Sequence, residues 1–407
     1  MPVNLALPAA SVVPGVALST NAAGIKANGG DDMVLCSLAQ TSTTVGVFTQ
    51  NTFCAAPVIV AKSHLNERPL GDARALLINS GNANAGTGQP GIDVANSHCA
   101  ALAELLGVEA NQVLPYSTGV IGEQLPDEKI QAALPNLVAG LDNSLPAWEQ
   151  AACGIMTTDT VPKLTSKTIN INGQSVTITG MSKGAGMIEP NMATMLAYVF
   201  TDASVNKIDL QNALNASVAK SFNAITVDSD TSTNDACMLT ATGLGIELID
   251  GDTHWDKFQS ALDEVLLLLA QAIVRDAEGA TKFITAEVLG GASFEDCRAV
   301  GYGIANSPLV KTAMFASDAN VGRLLMAIGK VGIDNLNPDQ VSVSVNELPV
   351  FEKGLLHPKY SEEKGSAVMQ ADDIVVSVNL GMGKHTASIY TSDLSHEYVT
   401  INAEYRT

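Results

Sequence analysis

The sequence predicts an α+β protein built in layers, and three observations carry that expectation. Strand-period and helix-period stretches alternate along nearly all 407 residues, with the C-terminal part richer in strands. Hydrophobic residues make up 46% of the chain and aromatics only 4%, so its core has to be built from Ala, Val, Leu, Ile and Met. No Pro/Ser-rich linker or low-complexity tract interrupts the chain, which therefore reads as two packed domains or one large layered domain with insertions.

Taken in order, residues 33–38 and 45–49 alternate as two strands joined by a polar Ser/Thr turn, and 75–78 is a short buried strand. The following stretch, 79–88, is too rich in Gly and Asn for helix or strand. A phosphate cradle there lacks the GxxxxGK[ST] pattern, leaving a structural or site-lining turn. Residues 92–106 place Val94, Ala95, Cys99, Leu102, Leu105 and Leu106 on one helical face, with Gly107 as the stop. A strand near Val113 leads to Thr118-Gly119, placed directly after it, where backbone amides and a hydroxyl could meet developing negative charge or simply form a turn. Helices are expected over 127–141 and 146–153. Residues 167–179 form the clearest hairpin, turning at Asn172-Gly173.

Beyond it lies a glycine-rich loop at 183–193, then a strand over 194–200 and a helix over 208–222. The acid- and hydroxyl-rich loop 227–235 lacks the glycine and the final Glu of a calcium loop. A long helix over 254–275 stops at a turn carrying Glu278 and Lys282, followed by a strand over 283–288 and a helix over 308–316. Another helix follows Ser317-Asp-Ala-Asn-Val-Gly-Arg323. Strands are expected around 341–345 and 374–378, and the alternation of Val399 and Ile401 predicts a terminal strand tied into a sheet.

With 22 Lys+Arg against 42 Asp+Glu, the net charge of −20 argues against nucleic acid as a partner. Six scattered cysteines show no zinc spacing, so no metal is expected and the thiols read as buried and reduced. With no signal peptide and no apolar run near ~20 residues, no membrane partner is expected, and the location reads as cytoplasmic. A Ser-His-Asp hydrolase would need a GxSxG elbow, which is absent, and Gly381-Met-Gly383 lacks the third glycine of a dinucleotide fingerprint.

Thr194 remains, at a loop-to-strand junction. A threonine hydroxyl needs an adjacent base, and one solution makes the residue an N-terminus whose α-amine is that base. Attack of its Oγ on the Ala193 carbonyl, followed by hydrolysis, would create that terminus. An ordinary strand-initiating threonine is the other reading.

The segment Lys183-Gly-Ala-Gly-Met-Ile-Glu-Pro-Asn-Met-Ala-Thr-Met-Leu196 resembles the self-cleaving segment of the ornithine acetyltransferase family, also called glutamate N-acetyltransferase, of arginine biosynthesis. The likeness spans the chain, through Asn79-Ser-Gly-Asn-Ala-Asn-Ala85, Ser117-Thr-Gly-Val-Ile-Gly122, Met156-Thr-Thr-Asp159, Asp230-Thr-Ser-Thr-Asn-Asp235, Glu278-Gly-Ala-Thr-Lys282 and Ile401-Asn-Ala-Glu-Tyr-Arg-Thr407.

The resemblance implies a layered αββα sandwich with an additional smaller α/β domain. It implies cleavage between Ala193 and Thr194 into an α chain, 1–193, and a β chain, 194–407, which pair as α2β2. It further implies Thr194 as nucleophile, Thr118 and Gly119 as oxyanion hole, and Thr157, Lys183, Thr194, Glu278, Asn402 and Thr407 as substrate-binding residues. The implied reaction moves acetyl from N-acetylornithine to glutamate. No cofactor is expected, with acetyl-CoA as a possible further donor. The alternatives are an N-terminal-nucleophile aminopeptidase or amidohydrolase, and a non-enzymatic acidic binding module.

Overall fold

A computed structural model describes residues 1–189 and 195–404. The chain divides into two compact units. The larger comprises Leu7–Asn223 and Asp230–Ile273, and the smaller Met1–Ala6, Ala224–Ser229 and Val274–Thr407.

In chain order the main strands of the larger unit are β1 Val16–Asn21, β2 Met33–Leu38, β3 Thr43–Phe48, β4 Ala75–Asn82, β5 Val113–Val120, β6 Lys163–Ile171, β7 Gln174–Lys183, β8 Leu196–Thr201 and β9 Ala236–Ala241. Its helices are α1 Ala56–Glu67, α2 Gly88–Leu106, α3 Asp127–Ala139, α4 Leu145–Gly154, α5 Lys207–Lys220 and α6 Trp255–Arg275, whose last two residues belong to the smaller unit. One sheet runs β1-β2-β4-β5 and the other β3-β9-β8-β7-β6.

Strand periodicity explains how these sheets stack. Along β2, Met33 and Leu35 face a core shared with Ala95, Cys99 and Leu102 of α2 and Ile130 and Leu134 of α3. Val34 and Cys36 point the other way, into a cluster with Ile78 and Tyr116 of their own sheet and Met181, Tyr198, Phe200 and Met238 of the second. The rings interlock edge to face, Tyr116 on Tyr198 and Trp148 on Phe200, each at 5.3 Å. The outer face of the second sheet meets α6 at Gly180, where a Cβ would lie 2.7 Å from Leu269. Helices, sheet, sheet and helices give the expected αββα sandwich.

The smaller unit is the expected α/β domain. It adds β10 Phe283–Gly291, β11 Ser342–Val345, β12 Leu348–Glu352, β13 Asp373–Asn379 and β14 His385–Ser392. Its sheet runs in the order Ile225–Thr226, β14, β10, β13, β11, β12, Leu355–Leu356. Ile284, Ala286 and Val288 of β10 pack on Val300 and Ile304 of α7 Phe294–Ala305 and on Leu324 and Ile328 of α9 Val321–Gly329, with α8 Pro308–Phe315 between these helices in the chain. Two further helices are α10 Glu362–Val368 and α11 His396–Ala403. Among the described residues no helix is long and apolar enough to cross a membrane.

Four expectations are corrected. Strands β2 and β3 are not neighbours, because β1 and β4 already occupy both edges of β2. The strand at Ala75 does not end at Ile78 but runs on to Asn82, where Asn79 Nδ2 donates to the Asn82 carbonyl at 2.8 Å. Thr118 and Gly119 lie inside β5 rather than after it. The chain end at 396–403 is helical, not a strand: Ser395 caps it by accepting from Tyr398 N, and Val399 is 62% exposed. Helix α1 escaped sequence reading because its Val and Ile residues show no helical stripe, with Val58 and Val60 buried while Ile59 is exposed.

Phe200 is fully buried between the sheets, so Phe200→Ala is expected to lower stability by about 3–5 kcal/mol, read as a shifted denaturation midpoint at unchanged slope.

Candidate active site

The C-terminal ends of β4 and β5 meet with almost no space between them. A Cβ on Gly119 would sit 2.3 Å from the Gly81 carbonyl carbon and 2.5 Å from the Asn82 nitrogen, and Gly119 adopts φ +135°. Only glycine fits there. The register shifts at Gly81 and Asn82, a bulge that turns the end of this parallel pair away from a regular ladder. Thr118, immediately before Gly119, is buried and accepts a hydrogen bond from Lys183 Nζ at 3.3 Å.

Lys183 is the last residue of β7, paired with Leu196 at the start of β8, rather than a residue of the loop beyond. Behind it lies Asp159, whose carboxylate accepts from Lys163 Nζ at 2.7 Å, Gly184 N at 2.7 Å and Thr157 N at 3.1 Å. Burial alone would raise the Asp159 pKa, but Lys163, Lys183 and the Gly184 amide hold it down, to about 2. The carboxylate therefore stays ionised and fixes three things: the backbone at Thr157, the ammonium of Lys163 and the backbone following Lys183. Lys26 also feels Asp159 and Lys183; its pKa is lowered chiefly by burial, against the pull of Asp32, Asp159 and Asp31.

In the smaller unit, Glu278 is buried and accepts from Asn402 Nδ2 at 2.8 Å. Its turn is held by Asp393, which accepts from Thr281 N, Thr281 Oγ1 and Lys282 N at 2.8, 2.6 and 2.9 Å. Lys311 is fully buried and donates to Thr391 Oγ1 at 2.8 Å and to the Ser392 carbonyl. Burial lowers its pKa to about 7, against the opposing pull of Asp393 and Asp228. Tyr398 donates its hydroxyl to Asp228 at 3.1 Å.

Of the residues expected from sequence, the larger unit brings Thr118, Gly119, Thr157 and Lys183 into one connected network, and the smaller joins Glu278 to Asn402. Ala193, Thr194 and Thr407 lie outside the described residues. Asp159 closes the Met156-Thr-Thr-Asp159 stretch without a role from the resemblance, and Lys163 and Lys311 lie in none of its motifs. The four-residue spacing of Asp159 and Lys163 was the one available signal.

The model of the ArgJ family matches residues 17–407. The arginine biosynthesis bifunctional protein ArgJ of Pseudomonas fluorescens (strain Pf0-1) is 52% identical over 405 residues, 98% of either chain. A solved arginine biosynthesis bifunctional protein argJ from Bacillus halodurans is 40% identical with a TM-score of 0.50, covering 52% of this chain and 100% of that one. An ornithine acetyltransferase complexed with ornithine, from Mycobacterium tuberculosis, is 35% identical with a TM-score of 0.40, covering 44% of this chain and 93% of that one.

Asp159→Asn preserves shape but leaves Lys163 buried opposite a neutral amide, at an expected cost of about 3–5 kcal/mol at neutral pH. Because the folded-state pKa is depressed from about 3.9 to about 2, the wild-type contribution is complete above about pH 4 and lost as pH falls towards 2. Acid-denaturation curves of the two proteins should therefore converge across that window.

Proposed function

The chain belongs to the ArgJ family, and from that membership we propose a reaction and the residues that perform it. It is an acetyltransferase of arginine biosynthesis. It moves acetyl from N2-acetyl-L-ornithine to L-glutamate, giving L-ornithine and N-acetyl-L-glutamate, through an acetyl ester on Thr194.

Cleavage between Ala193 and Thr194 frees an α-amine with a pKa of about 7.7–8.0, close to working pH. That amine takes the hydroxyl proton as Thr194 Oγ attacks the acetyl carbonyl. Negative charge on the carbonyl oxygen is met by the Gly119 N–H together with Thr118. Collapse breaks the amide C–N bond, and the proton passes to the departing ornithine nitrogen. The neutral glutamate amine then attacks the ester, the same oxyanion site serves again, and Thr194 Oγ leaves with a proton. The observation that carries this reading is the Lys183 contact to Thr118 at 3.3 Å, which supports a cation for a substrate carboxylate beside the oxyanion donors. Glu278 takes an ammonium group, and Thr157, Asn402 and Thr407 complete the binding residues.

The α chain, 1–193, and the β chain, 194–407, stay together and pair as α2β2 in the cytoplasm. Retention is supported by the sheet order: β8 and β9 of the β chain are flanked by β7 and β3 of the α chain, so separation would break two backbone ladders. We further propose acetyl-CoA as a second donor to the same threonine.

Intact-mass measurement is expected to give two chains meeting at Ala193 and Thr194, with Thr194→Ala remaining one chain. A persistent full-length wild type would overturn self-cleavage. Incubation with N-acetylornithine and glutamate is expected to yield N-acetylglutamate, whereas release of acetate without glutamate would make the protein a hydrolase. N-acetylglutamate formed from acetyl-CoA and glutamate would establish the second donor.

A further inference from the structure

Asn234 sits within Asp230-Thr-Ser-Thr-Asn-Asp235, a segment to which the reaction above gives no task, yet it is buried against the strand ends that carry Thr118 and Gly119. Its Nδ2 donates to the Ala83 carbonyl at 2.5 Å and to the Ser117 carbonyl at 2.9 Å. Carbonyls only accept, so both must be met by the amide NH2, which fixes the orientation of the side chain. Its Oδ1 then accepts from Thr233 Oγ1 at 2.6 Å, and its backbone N–H donates to Ser232 Oγ at 3.1 Å.

The two carbonyls are significant ones. The Ser117 carbonyl belongs to the same planar peptide unit as the Thr118 N–H, so holding one fixes the plane of both. Ala83, just beyond β4, donates its N–H to the Val120 carbonyl at 2.9 Å, closing the ladder on the far side of Gly119. One amide thus ties together the exits of β4 and β5, at the peptide entering Thr118 and at the residue whose N–H bonds the Val120 carbonyl. Ser117 Oγ adds a further tie, donating to Asn79 Oδ1 at 2.5 Å.

We propose that Asn234 is the positioning residue of the oxyanion site, holding the Ser117–Thr118 peptide and the β4 exit so that the donors at Thr118 and Gly119 meet the carbonyl oxygen of the reacting acetyl group. This rests on the reaction assigned above. Asn234 touches neither substrate nor nucleophile in this role and acts only through the strand ends. It also lies C-terminal to the 193–194 bond, whereas the donors lie N-terminal to it, so the processed β chain holds the oxyanion geometry of the α chain.

The kinetic signature follows from use of one oxyanion site in both half-reactions. When acetylation and acetyl transfer slow by the same factor, each KM, which scales with the ratio of the two rates, stays put while kcat falls. Asn234→Ala in the processed two-chain enzyme is expected to lower kcat about 10–100-fold, as small displacements of a reacting geometry do, and to leave both KM values within about twofold. Single-turnover rates of acetyl-enzyme formation and of transfer to glutamate should fall together. Thr233→Val removes only the hydroxyl that orients the amide and should give the same pattern with smaller amplitude.

An unchanged kcat, a raised KM at preserved kcat, or slowing of one half-reaction alone would overturn the proposal. Should Asn234→Ala fail to fold or to process, the same readings on Thr233→Val decide. A wild type that transfers no acetyl would instead overturn the functional reading, a result distinct from an active wild type indifferent to Asn234.

Discussion

One buried carboxylate organises the polar interior at the end of β7. Asp159 has no contact with solvent at its side chain, and an ionised group there persists only with dedicated donors. It has them in Lys163, the Gly184 amide and the Thr157 amide. Asp159, Lys163 and Lys183 together hold one more positive than negative charge, in a chain whose net charge is −20. Lys26, which feels Asp159 and Lys183, joins this cluster together with Asp31 and Asp32. Lys163 balances the charge of Asp159, while Lys183 reaches towards Thr118.

The same logic of close fit recurs at Gly119, in backbone rather than charge. The parallel strands β4 and β5 approach until a methyl group has no room, and the bulge there turns peptide groups out of the ladder. Groups released from a ladder are available to a ligand, but they also lose the restraint a ladder supplies. Side-chain amides replace it: Asn79 on the Asn82 carbonyl, Asn82 Oδ1 on the Asn84 N–H, and Asn234 on the Ala83 and Ser117 carbonyls. The asparagine richness that reads in 79–88 as a structural or site-lining turn is the chemistry of a strand end held by side chains.

Local signals were legible in the sequence where the backbone itself is unusual. The hairpin at Asn172-Gly173 holds both residues at positive φ, 52° and 82°, and helix α2 stops at Gly107 with φ 68°. Patterns of burial misled where a segment is too short to fix its period. Val399 and Ile401 alternate like a strand, but the Ser395 cap starts a helix and Val399 faces solvent. Pairing between distant segments was not legible at all: nothing in residues 33–49 says that β2 is already flanked on both sides. For the site, motifs marked Thr118, Gly119, Lys183 and Glu278. Asp159 and Asn234 stand inside motifs of the resemblance, and their hydrogen-bond partners come into view only in the fold, Asp159 on Lys163 and the Gly184 amide, Asn234 on the Ser117 carbonyl.

The interleaving of β3, β9, β8, β7 and β6 has a consequence for how the protein can be remade. While the chain is continuous, tethering keeps the strands at high effective concentration, and the sheet forms by a unimolecular reaction. A cut at 193–194, as proposed, would remove that tether and leave the described ladders, whose β7–β8 pairing ends at Lys183 and Leu196, intact. The unfolded state would then become two diffusing polypeptides whose reunion depends on concentration. A processed molecule of this topology is persistent rather than renewable: its lifetime is set by how slowly the sheet opens, and dilution makes each opening harder to reverse.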